Sequence, residues 1–264
     1  MLKARVVTAL LLAAGLLGVL FLLPHLAATV VFALVAATAA WEWAGLMRID
    51  QPARFMFGGV VLLFCWQSFV AGDTAFLMLW GAATVFWLVL APLWLRYKWS
   101  FAENDFVGYA VGVMLLVPTW AAMAALHARG PWILVGVMAL AWVADIAAYF
   151  TGRAFGRRKL APSISPGKTW EGVGGAIVGV LVYGMAVAFV VGLTGIPLIL
   201  GLLALLPLTG LTIIGDLFES LMKRQAGIKD SSNLLPGHGG VLDRIDSQLS
   251  LLPAAALILH WSGQ

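Results

Sequence analysis

Charge is scarce in this 264-residue chain: 11% of its residues are Asp, Glu, Lys or Arg and 62% are hydrophobic. A soluble domain carries about 25% charged residues. With so little polar surface the chain cannot cover a globule in water, so its solvent is a bilayer. Cysteine is nearly absent. The single Cys65 lies inside an apolar run, which excludes a disulfide framework and a thiolate metal centre and leaves it a small buried or lipid-facing residue. Histidine is sparse too. His25, His127 and His260 stand singly at the ends of apolar runs with no second histidine at helical spacing, so interfacial roles are expected rather than metal ligation. No soluble domain and no internal repeat is visible. Although the pI is near 9.5, no nucleic-acid partner is expected, because in a membrane chain the placement of Lys and Arg matters more than their total.

What the chain has is long apolar runs. A span needs about 20 apolar residues. Runs lie at about 6–23, 25–47, 55–71, 74–95, 107–126, 131–150, 172–194 and 196–218, with a shorter one at 247–261 that reads as the upper part of a helix beginning earlier. The fold class expected is therefore all-α, a polytopic membrane helix bundle of about nine transmembrane helices. With Lys3 and Arg5 inside, fifteen of the sixteen cations fall on one side and only Arg129 on the other, as the positive-inside rule requires. The first run passes almost directly into the second without a small-residue cleavage site, so an uncleaved helix is expected. Twelve tryptophans, among them Trp41, Trp43, Trp94, Trp99, Trp132 and Trp170, fall mostly near run ends and read as an interfacial belt.

The remaining polar residues are unevenly distributed. Of the charged residues in the first half only Glu42 lies within a run, near its cytoplasmic end, where it is expected to snorkel or pair with an arginine. The second half places Asp145 in ALAWVADIAAYF and Asp216 in LTIIGDLFES, with Glu219 three residues on and so on the same helix face. A carboxylate within a membrane helix is costly and asks for a partner. The loop TGRAFGRRKLAPSISPGKTWEG sets Arg153, Arg157, Arg158, Lys159 and Lys168 near Ser163 and Ser165, with a Pro166-Gly167 turn before a new helix. Cations, hydroxyls and free helix N–H groups suit a phosphate, whereas a plain lipid-attracting loop would explain the arginines but not the turn. It is no Walker A loop, since Pro162 stands where glycine is needed.

The densest cluster is SLMKRQAGIKDSSNLLPGHGGVLDRIDS, residues 220–247. Lys223, Arg224 and Lys229 supply positive charge, and Gly239 and Gly240 allow close backbone approach. Asp243 and Asp246 project from one face of a helix starting near Val241, with Cβ atoms about 5–6 Å apart, and repel unless a cation lies between them. Oxygen ligands without cysteine or paired histidine indicate a hard cation, Mg2+ first. With Asp216 they suit a metal-bound polyphosphate and phosphoryl or nucleotidyl transfer. Asp145 or Glu219 is a further candidate ligand.

Ser220, Lys223-Arg224, Lys229-Asp230, Ser232, Leu235-Pro236, His238-Gly239-Gly240, Asp243-Arg244 and Asp246 together resemble the signature of the phosphatidate cytidylyltransferases, the CDP-diacylglycerol synthases. The Ser163-x-Ser165-Pro166-x-Lys168-Thr169-x-Glu171-Gly172 stretch and Asp145 are similar to family elements as well. The likeness is strong over residues 140–250, and the first half matches only as a hydrophobic, variable region. This divides the chain into a variable transmembrane part, 1–130, and a catalytic part, 131–264. The resemblance implies CTP and phosphatidate as substrates, CDP-diacylglycerol and pyrophosphate as products, and Mg2+ with a second cation such as K+. It implies that Asp216, Asp243 and Asp246 hold metal, that Lys168, Lys223, Arg224 and Lys229 bind phosphates, and that His238 orients a phosphate or the leaving group. Ser163, Ser165, Arg244, Gly239 and Gly240 complete the substrate contacts. A bacterial inner membrane, a site facing the cytoplasm, membrane lipid around it and a homodimer are further expectations. A transporter would use Asp145 and Asp216 for ion coupling but leave 220–247 unexplained. A CDP-alcohol phosphotransferase pattern begins Asp-Gly and runs through Ala-Arg, and with no Asp-Gly pair in the chain that pattern is absent.

Overall fold

In lipid every backbone N–H must be satisfied within its own segment, so apolar runs of this length fold as helices. The computed structural model describes residues 2–101 and 104–262, with side chains from Val6 onward in the first helix; the Lys3 and Arg5 side chains of the orientation argument lie outside that set. The order is α1 (Leu2–Leu22), α2 (His25–Leu46), α3 (Gln51–Ala71), then α4 (Asp73–Val85) running through a π turn (Phe86–Leu90) into α5 (Ala91–Tyr97). α6 (Asp105–Arg129) and α7 (Pro131–Phe155) follow, then strands β1 (Lys159–Ala161) and β2 (Ser165–Thr169), α8 (Trp170–Val191), α9 (Gly195–Ala226) and α10 (Leu242–Ser262). Counting α4 to α5 as one rod, the described residues hold nine long helices. Seven of these rods are long and apolar enough to cross a membrane by composition. The ninth run is indeed the upper part of a longer helix: α10 begins at Leu242 and carries its charge in the first turns.

Contacts between helix ends sort the connections into two sets. At one end Thr8 donates to Pro236 O, Arg48 to Ala226 O, Gln225 to Trp99 O and Arg224 to Ile164 O. At the other, His127 meets Leu20 O and Arg129 donates to Leu259 O. The segments rich in Lys and Arg therefore share one end of the bundle.

Four refinements of the sequence reading follow. The loop after α7 is a small antiparallel hairpin, with Lys159 opposite Thr169 and Ala161 opposite Ser165. Its turn falls at Pro162-Ser163, not Pro166-Gly167, and Pro166 is tolerated because a two-stranded sheet has only edges. Trp43 and Trp94 are not interfacial. They are 1% and 7% exposed and pack with Phe86 and Trp87 around Phe218 of α9, whereas Trp132 and Trp170 are exposed. His25 and His127 are not solitary, since their Nδ1 atoms lie 3.2 Å apart. Glu42 neither snorkels nor takes an arginine. It is fully buried, and Arg54 instead donates to Trp41 O and stacks on the Trp41 ring.

Candidate active site

The site is assembled where α7, the hairpin, α8, α9 and α10 meet. Thr169 caps α8 by accepting from Gly172 N, the usual device for a helix start. Glu171, in the first turn of α8, accepts from the backbone N–H groups of Arg157 and Arg158 and pairs with the Arg158 side chain at 3.5 Å. These bonds fix the hairpin over the helix and carry Lys168 inward. Lys168 Nζ lies 2.5 Å from Asp216 Oδ2 of α9. Both line a cavity of about 400 Å3 that Asp145, Tyr149, Arg153 and Ser165 also border. Gly215 permits the close approach of α10: a Cβ there would stand 2.5 Å from Ser250 Oγ and 2.7 Å from Asp246 O. As a result Asp246 comes within electrostatic reach of both Asp216 and Asp145.

A second cluster adjoins the first. Lys223 Nζ is 2.5 Å from Glu219 Oε2 and 2.6 Å from Asp243 Oδ1, and it also acts on Asp246. The cation that meets Asp243 is thus, in this arrangement, a lysine of the chain itself, shared with Glu219. The other Asp243 oxygen accepts from Ser231 N, Ser231 Oγ and Gly240 N. Glu42 of α2 accepts from Ser231 Oγ, Ser232 Oγ, Val241 N and Leu242 N. The 227–241 connection is thereby strapped onto two buried carboxylates.

Comparison with known proteins bears on what such a site serves. Residues 3–262 match the profile of the Cytidylyltransferase family. The chain is 41% identical to the phosphatidate cytidylyltransferase of Pseudomonas aeruginosa, covering 100% of this chain and 98% of that one. It is 37% identical to that of Haemophilus influenzae, covering 96% of each, and 33% identical to that of Bacillus subtilis, covering 97% of each.

The chain belongs to the cytidylyltransferase family.

In this cytidylyltransferase the residues singled out from sequence fall into three groups. Asp145, Ser165, Lys168 and Asp216 share the cavity wall, with Asp246 beside them. Lys223, Glu219, Asp243, Gly239 and Gly240 form the strap cluster. Here the glycines make room for carboxylates: a Cβ on Gly239 would lie 2.6 Å from Asp243 Oδ2, and one on Gly240 would overlap Ser231 Oγ and Glu42 Oε1. The third group stands further out. Ser163, Lys229 and Arg244 are exposed, and Arg224 turns to the hairpin, donating Nε to Ile164 O at 3.4 Å. His238 sits in a tight turn closed by Leu235 and Gly239, its Nδ1 buried without a hydrogen-bond partner among the described residues.

Sequence reasoning missed the weight of Glu42, Ser231 and Gly215. The signal was present only for Glu42, as an uncompensated carboxylate in an apolar helix. No spacing links it to residues 189–200 positions away.

Proposed function

We propose that this cytidylyltransferase transfers the CMP group of CTP to phosphatidate, giving CDP-diacylglycerol and pyrophosphate, with its site at the cytoplasmic face of a bacterial inner membrane. The observation that carries the reading is the Lys168–Asp216 pair at 2.5 Å on the wall of a 400 Å3 cavity, in a chain matched to the family from end to end. The relatives named above are phosphatidate cytidylyltransferases, and this supports the choice of substrates.

A phosphatidate oxygen attacks the α-phosphorus of CTP. A P–O bond forms there, the bond to the β-phosphate breaks and pyrophosphate leaves. The nucleophile is already anionic, so no strong general base is required, consistent with a site built from carboxylates and lysines. The protein's task is to bring two anions together and neutralise the charge that develops on the leaving group. Lys168 at the cavity wall meets phosphate there, and Arg153 and Ser165 border the same space. The cavity is framed by membrane helices on one side and by the hairpin on the other, so a lipid headgroup and a soluble nucleotide can both reach it.

Mg2+ fits this donor set. Among the described residues no three His, Cys, Asp or Glu side chains form a preformed metal cage. Mg2+ does not require one, because it is commonly held by one or two carboxylates with substrate phosphates and water. Asp216 and Asp246 would hold it, with Asp145 nearby and room for a second cation such as K+. When bound, the ion would offset phosphate charge. Asp243, three residues before Asp246, is instead engaged by the protein itself, its carboxylate accepting from Lys223, Ser231 and Gly240.

The test is purified protein with phosphatidate, CTP and Mg2+. Formation of pyrophosphate and CDP-diacylglycerol, lost with EDTA and restored by Mg2+, is expected; absence of both products would overturn the reading. Inverted membrane vesicles should use external CTP while intact spheroplasts do not. Size-exclusion chromatography with light scattering on the same preparation checks the homodimer.

A further inference from the structure

We propose that Glu42, on α2 in the first half of the chain, is a positioning residue for the reaction: it sets the depth and rotation of α10, and so places Asp246 against Asp216. The role builds on the function proposed above but draws on different atoms.

Glu42 is 0% exposed, yet its partners are not cations. Ser232 Oγ donates to Oε1 at 2.6 Å and Val241 N to the same oxygen at 2.9 Å. Leu242 N donates to Oε2 at 2.6 Å, and Ser231 Oγ lies 3.1 Å from it. The Val241 and Leu242 N–H groups belong to the start of α10, where the helix has no carbonyls of its own to offer and where negative charge is favoured. A side chain from a different helix therefore caps α10. Ser231 Oγ is shared, standing 2.9 Å from Asp243 Oδ2 as well, so the Glu42 carboxylate and the Asp243–Lys223 pair are joined through one hydroxyl.

Three features show the fit to be built. Gly240 admits no Cβ, because Glu42 and Ser231 occupy that space. The next residue on α2, Trp43, is buried, donates to Gly108 O at 2.9 Å and stacks parallel to Phe218 of α9. The carboxylate is therefore held by a side chain that registers α2 against α6 and α9. Finally, Asp246 is only four residues into α10 from Leu242. A tilt or slip at the helix start is passed directly to Asp246, whose backbone oxygen packs against Gly215 beside Asp216, and misplacement of about 1 Å in such a constellation costs about 100-fold in rate.

The experiment uses the full chain in nanodiscs, with wild type, Glu42→Gln, Glu42→Asp and Ser232→Ala. Gln is isosteric but turns an NH2 group toward backbone N–H donors. Glu42→Gln is expected to lower kcat about 100-fold with KM for CTP nearly unchanged and the melting temperature close to wild type. Hydrogen exchange should rise in peptides covering 231–242 and not elsewhere. Glu42→Asp keeps the charge and should recover much of the rate. If Glu42→Gln does not assemble, Ser232→Ala, which removes one of the four contacts, should show a smaller loss with the same local rise in exchange. Wild-type kcat and wild-type protection of 231–242 in Glu42→Gln, or in Ser232→Ala where that variant stands in, would overturn the proposal. So would loss of protection throughout the bundle. If the wild-type protein makes no CDP-diacylglycerol the functional reading fails, while the exchange measurement still decides whether Glu42 holds the strap.

Discussion

Removing the positive charge at Lys223 should destabilise the protein through the two acids it leaves behind. Its ammonium lies 2.5 Å from Glu219 Oε2 and 2.6 Å from Asp243 Oδ1, and the three side chains are 12%, 2% and 3% exposed. Lys223→Met keeps the aliphatic stem and deletes the charge. Glu219 suffers most, because its Oε1 is buried without a hydrogen-bond partner among the described residues, whereas Asp243 retains Ser231 and Gly240 as donors. Breaking a buried pair from one side costs about 3–5 kcal/mol. At about 2 °C per kcal/mol for a chain of this size, the melting temperature in detergent should fall by about 6–10 °C. Adding Glu219→Gln removes the orphaned charge and should return about half of that loss, since residues in direct contact couple rather than add. The assay is thermal unfolding followed by fluorescence-detected size exclusion. A Lys223→Met midpoint within about 2 °C of wild type, equivalent to about 1 kcal/mol, would refute the reasoning. A Glu219→Gln change that deepens the loss would do the same.

Three other outcomes follow from the geometry. Lys168→Ala should lose about 100-fold or more in CDP-diacylglycerol synthesis, a typical loss for removing one electrostatic contact to developing charge, with assembly intact; normal kinetics would return the hairpin to simple lipid attraction. Asp246→Asn and Asp243→Asn should separate: the first abolishes activity at an unchanged melting temperature, while the second also lowers that temperature because it disrupts the Lys223 and strap bonds. Equal melting temperatures in the pair would count against the division of roles. Gly240→Ala forces a methyl group into the space of Ser231 Oγ and Glu42 Oε1 and should destabilise by about 1–3 kcal/mol, measurable in the same thermal assay.

The sequence by itself determined the membrane solvent, the succession of spans and the end of the bundle at which cations collect, because these depend on local hydropathy and on charge counted along the chain. It also singled out segments that the fold brings together: residues at short spacing, such as Asp243 and Asp246 on α10 or Lys168 before α8, can be read from helical period alone. Tertiary structure decided the partnerships. Whether Lys168 meets Asp216, whether Lys223 stands between Glu219 and Asp243, and whether Gly215 lets α10 approach α9 depend on how helices pack sideways, which no period encodes. Glu42 marks the boundary most clearly. The sequence shows a carboxylate that lipid would not tolerate alone, and only the folded bundle supplies its donors, which lie 189–200 residues away. Hydropathy confines a helix to the membrane but leaves its rotation and its neighbours to be settled by packing.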